Sequence, residues 1–178
     1  MKKWIMIFFA GIVFSSCNNN GKASKEVTND SSKAINATKM NYPYTIDHPD
    51  NWEIGSPENT MVALSALKGY ENGNIDESMK YFGDSVHLLF DGMEARVSKD
   101  SLRSMFTKSR GSLKSLEIKM GDWESVISKD KKDEYVTLWY KQKWEDIKGN
   151  KDSLSIENDI KIKSGKIIEL DEKSRKYH

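Results

Sequence analysis

Two acidic side chains and one histidine are the residues of this sequence best suited to acid–base chemistry. His87 lies in a short predicted strand, and Asp91 follows at the turn that ends it. Asp122 and Trp123 come directly after Gly121, where a β-bulge could reverse the side-chain alternation and direct either side chain into a pocket. Since a histidine or carboxylate in a pocket can act as a general acid or base, His87 and Asp122 are the candidate catalytic residues.

The alternation around His87 opposes that role. Val86, Leu88 and Phe90 are residues of the buried type, and their spacing turns His87 to the opposite face of the strand. The sequence offers no other catalytic or metal-binding motif. The three histidines share no metal-ligand spacing, and the chain has neither a phosphate-binding glycine loop nor a serine nucleophile motif. We therefore expect no metal and no cofactor.

The stretch at residues 134–147 sorts its side chains onto two faces at a period of two residues, as a strand does. One face is mostly apolar and carries Val136, Leu138, Tyr140, Gln142 and Trp144. The other is aromatic and basic and carries Tyr135, Thr137, Trp139, Lys141 and Lys143. The first face is predicted to point toward the core, and the second is predicted to point outward.

Neighbouring predicted strands supply further inward apolar side chains, which are Leu116, Ile118, Met120, Ile156, Ile160, Ile162, Ile168 and Leu170. Polar residues interrupt this inner face at Tyr140, Gln142 and Asn158, where an unpaired group would cost about 1 to 3 kcal/mol. These three residues, with Trp144 and Trp123, are the predicted pocket residues. The alternative is that the three polar side chains simply bond one another or nearby helix ends.

Helices precede these strands. Ser56, Asn74 and Ser98 are each placed to cap a helix, and the first cap is followed by Pro57. The second helix is predicted to include Phe82 and to end at Gly83. A strand pair around Asp91-Gly92 is predicted as a hairpin, and an antiparallel meander follows the third helix.

The N-terminus has the features of an export signal. A basic start, an apolar run at residues 4–14 and the small residues of Ser15-Ser16-Cys17 follow one another. The run is shorter than the roughly 20 residues that span a bilayer. Ser-Ser-Cys after such a run resembles the lipobox of bacterial lipoproteins, in which the cysteine is lipidated. The alternative is an ordinary signal peptide with an incidental cysteine.

The domain organisation follows from these features. Residues 1–16 are the predicted signal peptide, residues 17–41 a polar disordered tether, residues 42–55 an extended strap and residues 56–175 one folded domain. The 178 residues carry 28 Lys and Arg against 27 Asp and Glu. This near-neutral balance argues against nucleic acid as the main partner.

Two short helices, a hairpin, a third helix and a meander resemble the nuclear transport factor 2-like fold, which includes SnoaL-like polyketide cyclases. The similarity lies in residues 67–84, LKGYENGNIDESMKYFGD, and in Gly165-Lys166-Ile167-Ile168. It implies an α+β fold in which a curved antiparallel sheet wraps three helices into a cone with a pocket. Residues 50–52 and 121–125 also resemble exported lipoproteins of the Bacteroidetes type.

Two functions are compatible with this resemblance. The first is a non-catalytic lipoprotein, anchored in the cell envelope and most naturally in the outer membrane, whose cone binds a small apolar or amphipathic ligand or a protein partner. The alternative is an envelope dehydratase, isomerase or hydrolase that uses His87 or Asp122. The resemblance further implies a homodimer through the outer sheet face that carries Tyr135 and Trp139.

The anchor has a direct test. Replacing the cysteine, Cys17→Ala, removes the only thiol that could carry acyl chains, so the variant should leave the membrane fraction for the soluble fraction. Membrane partitioning equal to that of the unaltered chain would contradict lipidation.

Overall fold

The structure is a computed structural model that describes residues 41–45 and 52–176. The predicted signal peptide, Cys17 and nearly all of the tether lie outside the described residues, as do residues 46–51 of the predicted strap. No helix within the described ranges is long and apolar enough to cross a membrane.

Three helices occupy the N-terminal part of the domain: α1 (Pro57–Glu71), α2 (Ile75–Met79) and α3 (Lys99–Gly111). The three predicted caps are confirmed. The Ser56 hydroxyl accepts from the Asn59 N–H at 3.1 Å, and the Asn74 and Ser98 side chains accept in the same way at the starts of α2 and α3. Each cap supplies an acceptor for an N–H that the helix itself leaves unpaired.

Seven strands form one curled sheet in the order β1-β4-β5-β6-β7-β2-β3. Every neighbouring pair is antiparallel except β2 and β7, which are parallel. The strands are β1 (Trp52–Ile54), β2 (Phe82–Phe90), β3 (Met93–Ser98), β4 (Leu113–Ser128), β5 (Glu134–Asp146), β6 (Lys151–Lys163) and β7 (Lys166–Lys176). The predicted α+β cone and the Asp91-Gly92 hairpin are confirmed.

The predicted end of the second helix was wrong. The helix stops at Met79, and Phe82 and Gly83 begin β2 instead. Phe82 is buried because it pairs with Ile167 of β7 and its ring meets that of Phe106 edge-on at 5.7 Å. This contact with a distant strand prevails over a helical continuation that the local sequence also permits.

The inner face of the sheet follows the predicted alternation along β5 and β6. Val136 and Leu138 are fully buried, and Ile156, Ile160 and Ile162 are nearly so. On β7 the prediction of an inward Ile168 was wrong: Ile167 is the buried residue. The register between β6 and β7 shifts between Lys161 and Ile162, and this irregularity changes which isoleucine faces the helices.

A second irregularity lies in β4 at Gly121. Met120 pairs with Tyr140 and Asp122 pairs with Trp139, so Gly121 is the extra residue of a bulge, as predicted. A Cβ at position 121 would lie 3.0 Å from the Trp139 carbonyl oxygen. The close approach of the two strands therefore favours glycine at this point.

Polar contacts hold α1 against the sheet at both of its ends. At the start of the helix, the Ser56 N–H donates to the Glu134 carboxylate at 3.1 Å. At the end, the Ile118 N–H of β4 donates to the Glu71 carboxylate at 2.8 Å. The helix is thereby fixed across the concave face, which leaves room between it, α3 and the strands below.

Gly69 of α1 tests this packing. A Cβ at position 69 would lie 2.7 Å from the Ser78 backbone nitrogen of α2. Alanine ordinarily stabilises a helix interior by about 0.5 to 1 kcal/mol relative to glycine, whereas overpacking costs about 1 to 3 kcal/mol. We expect Gly69→Ala to lower the free energy of unfolding by about 1 to 2 kcal/mol in urea titrations.

The control is Gly111→Ala at the end of α3, where an added Cβ meets nothing within 4 Å. That variant should be neutral or slightly stabilising. Equal effects of the two substitutions would contradict the close α1–α2 contact.

Candidate functional site

A cavity of about 360 Å³ lies between α1, α3 and the concave face of the sheet. Its wall is mostly apolar and aromatic, with a few polar groups. The lining residues are Ala63, Ala66, Leu67, Tyr70, Phe82, Phe90, Met105, Phe106, Ser109, Tyr140, Gln142, Asn158, Ile160, Ile167, Leu170 and Glu172. A cavity of this size and composition is typical of small-molecule sites.

Three of the predicted pocket residues, Tyr140, Gln142 and Asn158, lie on this wall. Tyr140 and Asn158 are 4% and 3% exposed. The Asn158 amide nitrogen donates to the Tyr140 hydroxyl oxygen at 3.0 Å, so part of the alternative expectation also holds, since two of the polar side chains do bond each other. Their part in binding a ligand stays a prediction.

That hydrogen bond leaves Asn158 incompletely paired. Its amide oxygen is buried and has no hydrogen-bond partner within the described residues. A buried acceptor without a donor costs about 1 to 3 kcal/mol of folding free energy. Asn158 therefore presents an acceptor that a molecule in the cavity could pair.

Glu172 of β7 is a cavity residue that the sequence reasoning missed. It lies opposite Asn158 in the register of β6 and β7 and lines the cavity. No hydrogen bond or ion pair reaches its carboxyl group from the described part of the chain. Burial, with a smaller contribution from the Asp91 charge, raises the pKa of Glu172 to about 7. The group is therefore partly protonated near neutral pH.

One signal in the sequence pointed to Glu172. It stands two residues after Leu170, which was predicted to face inward, so continued alternation places the carboxyl group on the same face. The predicted apolar inner face ends at Leu170, and the residues that follow are strongly polar. The strand in fact continues to Lys176.

Two tyrosine hydroxyls share the cavity with this carboxyl group. Burial, together with the Glu172 charge, raises the pKa of Tyr140 well above its ordinary value. Burial also raises the pKa of Tyr70, whose hydroxyl lies 2.9 Å from that of Ser109. Both phenols are therefore neutral at physiological pH and can donate or accept hydrogen bonds.

The candidate role of His87 as a pocket acid or base was wrong. The residue is on the convex face, as the alternation of its strand indicated. Its ring nitrogens lie 3.0 Å from the Glu169 carboxylate and 3.1 Å from that of Glu94. Asp91 is also engaged elsewhere, since its carboxylate accepts from the Ser174 N–H and hydroxyl.

Asp122 and Trp123 were wrongly placed in the site. Both are exposed, and neither lines the cavity. The bulge sets Asp122 opposite outward-facing Trp139, and the Asp122 carboxylate accepts from the Trp123 N–H at 2.8 Å. Trp123, opposite Leu138, is 51% exposed.

Trp144 was also wrongly placed in the pocket. It lies two residues beyond Gln142 on the same face of β5, but the strand has there passed the end of the cavity. Trp144 instead lines a separate surface depression with Glu117, Lys143 and Asp152.

The outward aromatic residues of β5 lie where the alternation places them. Trp52 of β1 contacts Tyr135 edge-on at a ring separation of 6.0 Å, and the Lys161 ammonium lies 5.2 Å from the centre of the same ring. Trp139 is half-buried on the same face. A dimer through Tyr135 and Trp139 stays a prediction. Within the described ranges, no group of three or more His, Cys, Asp and Glu residues could hold a metal ion.

The position of His87 predicts a pH-dependent contribution to stability. The hydrogen bond to Glu169, and then that to Glu94, raises the pKa of His87 above 6.5. Because the folded-state pKa is raised, protonated His87 stabilises the folded protein. This contribution is fully present below pH 6.5 and is lost as the pH rises through the folded-state pKa.

The variant His87→Gln should therefore be less stable than the unaltered chain. The difference in the free energy of unfolding should be largest below pH 6.5 and should shrink at alkaline pH. Urea unfolding of both proteins across this range measures it. A difference that does not change with pH would show that the imidazolium is not the stabilising form.

Comparison with known proteins bears on the fold. No protein-family model matches the chain, and no curated protein matches it in sequence. Solved structures do match. An LEH-like epoxide hydrolase from M. tuberculosis superposes with a TM-score of 0.56 at 12% identity, over 71% of this chain and 86% of that one.

Two further structures agree with this match. A nuclear transport factor 2-like protein of unknown function from Exiguobacterium sp. 255-15 has a TM-score of 0.50 at 12% identity, over 62% of this chain and 98% of its own. A protein with a ketosteroid isomerase-like fold from Catenulispora acidiphila has a TM-score of 0.52 at 6% identity, over 63% of this chain and 83% of that chain. The chain therefore has the nuclear transport factor 2-like cone fold.

Proposed function

We propose that this protein binds a small, largely apolar molecule in the cone, with one polar group of the ligand set against Asn158 and Glu172. The observation that carries the proposal is a buried amide oxygen without a donor, next to a carboxyl group, on a mostly apolar wall. The Asn158 amide oxygen has no donor among the described residues, and the Glu172 carboxyl group has no hydrogen-bond partner there. A ligand that pairs them removes a folding cost that the domain otherwise carries.

Catalysis is the second candidate function, and Glu172 favours it. A carboxyl group with a pKa of about 7 is suited to proton transfer at neutral pH, and the Tyr140 hydroxyl lies on the same wall. Structures with the same fold include an epoxide hydrolase and a putative hydroxylase. General-base catalysis would give a rate that rises with pH through the Glu172 pKa and is absent from Glu172→Gln.

The cellular setting is part of the proposal. The Ser15-Ser16-Cys17 sequence after an apolar run supports a lipidated cysteine that holds the domain at the outer membrane. The outward Trp139 supports a homodimer through the convex sheet face. Native mass spectrometry of the purified chain distinguishes dimer from monomer, and a monomer mass at all concentrations would contradict the dimer.

Blocking the cavity tests the binding function. Ser109 is exposed on α3 and lines the cavity, so Ser109→Trp should fill the opening without placing a large side chain in the core. Indole, a small neutral apolar probe, should shift the methyl NMR signals of Ala63, Ile160 and Ile167 in the unaltered chain. The shifts should be lost in Ser109→Trp.

Two controls make the result specific. Thr107→Trp adds the same side chain to α3 at an exposed residue that does not line the cavity, so it should leave indole binding unchanged. The methyl signals of Ile162, which is buried outside the cavity, should not move. The proposed function would be contradicted if indole still bound to Ser109→Trp. It would also be contradicted if indole shifted none of the cavity methyl signals in the unaltered chain.

A further inference from the structure

Within the described part of the chain, the cavity wall carries a negative group but no positive one. No lysine, arginine or histidine of the described residues lines the cavity, and Glu172 is its single carboxylic acid. Arg110 is close enough to influence Tyr70, but its guanidinium is already committed: it donates to the carbonyl oxygens of Glu71 and Leu113 at 3.1 to 3.2 Å. An anionic ligand would find no cation to pair with in this wall.

Aromatic rings make up much of the remaining surface. Tyr70, Phe82, Phe90, Phe106 and Tyr140 all line the cavity. Phe106 contacts Tyr70 and Phe82 edge-on, at ring separations of 5.1 and 5.7 Å. Aromatic faces attract a desolvated cation through the negative charge density above the ring, and they attract an apolar body as well.

The Asn158 amide oxygen and the Glu172 carboxylate both accept hydrogen bonds, so together they favour a ligand that donates. The Asn158 amide oxygen belongs to a side chain that is 3% exposed, and it has no partner within the described residues. The Glu172 carboxylate stands opposite it on the neighbouring strand. A ketone or ester would bring only acceptors, which pair with neither the Asn158 amide oxygen nor the ionised form of Glu172. An ammonium group brings several N–H donors and a charge opposite to that of the carboxylate.

We propose that the ligand of the cone is an organic ammonium compound, with its apolar body among the aromatic rings and its nitrogen between the Glu172 carboxylate and the Asn158 amide oxygen. This assignment rests on the proposed binding function and narrows it to one chemical class. Asp91, whose charge acts on Glu172 from the β2–β3 turn, adds to the negative potential at that end of the cavity.

Three probes of nearly equal size separate the possibilities: benzylammonium, benzyl alcohol and benzoate. Their affinities are measured by methyl NMR titration of the purified chain at about pH 8, where Glu172 is mostly ionised. Benzylammonium should bind at least about tenfold more tightly than benzyl alcohol, and benzoate should bind most weakly.

The Glu172→Gln variant should reduce the preference for benzylammonium to about twofold to fivefold, which is the part that the aromatic rings supply. Glu157→Gln is the matched control. It removes the same charge from the convex face of β6, and Glu157 does not line the cavity, so the preference should persist.

The outcomes that overturn the inference differ from those that overturn the proposed function. If indole binds in the cone but benzyl alcohol or benzoate matches benzylammonium, the cone binds ligands and the ammonium assignment is wrong. The ammonium assignment is also wrong if indole binds and none of the three probes does, or if Glu157→Gln lowers the preference as much as Glu172→Gln. If neither indole nor any of the three probes binds in the cone, both the ammonium assignment and the proposed function are wrong.

Discussion

The continuous antiparallel pairing of β5 with β6 determines which side chains face the helices. Across this pair Val136 lies opposite Ile160, and Leu138 lies opposite Asn158. Because side chains alternate between faces, one register error would exchange the core with the solvent-exposed surface. The same pairing brings Asn158 within hydrogen-bond distance of Tyr140. The core and the cavity wall are therefore consequences of one register.

The polar groups of the wall oppose the stability of the domain. Apolar residues at Asn158 and Glu172 would avoid the cost of an unpaired amide oxygen and a desolvated carboxyl group. On β5, β6 and β7 the inward polar residues Tyr140, Gln142, Asn158 and Glu172 all line the cavity. This is where function and stability conflict in a binding protein.

Local chemistry made parts of this fold predictable. Helix caps at Ser56, Asn74 and Ser98 depend on a single side chain beside its own backbone, and the Asp91-Gly92 hairpin depends on two residues. The inner face of β5 was predictable because its alternation is long. Features set by distant strands were not predictable: the parallel pairing of β2 with β7 and the extension of β2 back to Phe82 depend on contacts between segments far apart in the chain.

The candidate site divides in the same way. Tyr140 and Asn158 were found because they interrupt an apolar pattern, whereas Glu172 was missed because it lies within a polar run. The alternation correctly indicated that His87 faces outward. Trp144 was placed in the pocket from alternation alone, which does not tell where a cavity ends along a strand. Trp123 was placed there from the possible bulge after Gly121, and it is exposed although the bulge is present.

The central claim is that Glu172 is a desolvated carboxyl group facing the cone. A carbon-13 NMR titration of its side-chain carboxyl group in the purified chain tests this directly, with Glu172→Gln identifying the signal. The structure predicts a midpoint at about pH 7, raised by burial and by Asp91. A midpoint near the ordinary glutamate value of 4.5 would show that the group is solvated, and it would contradict the proposed site.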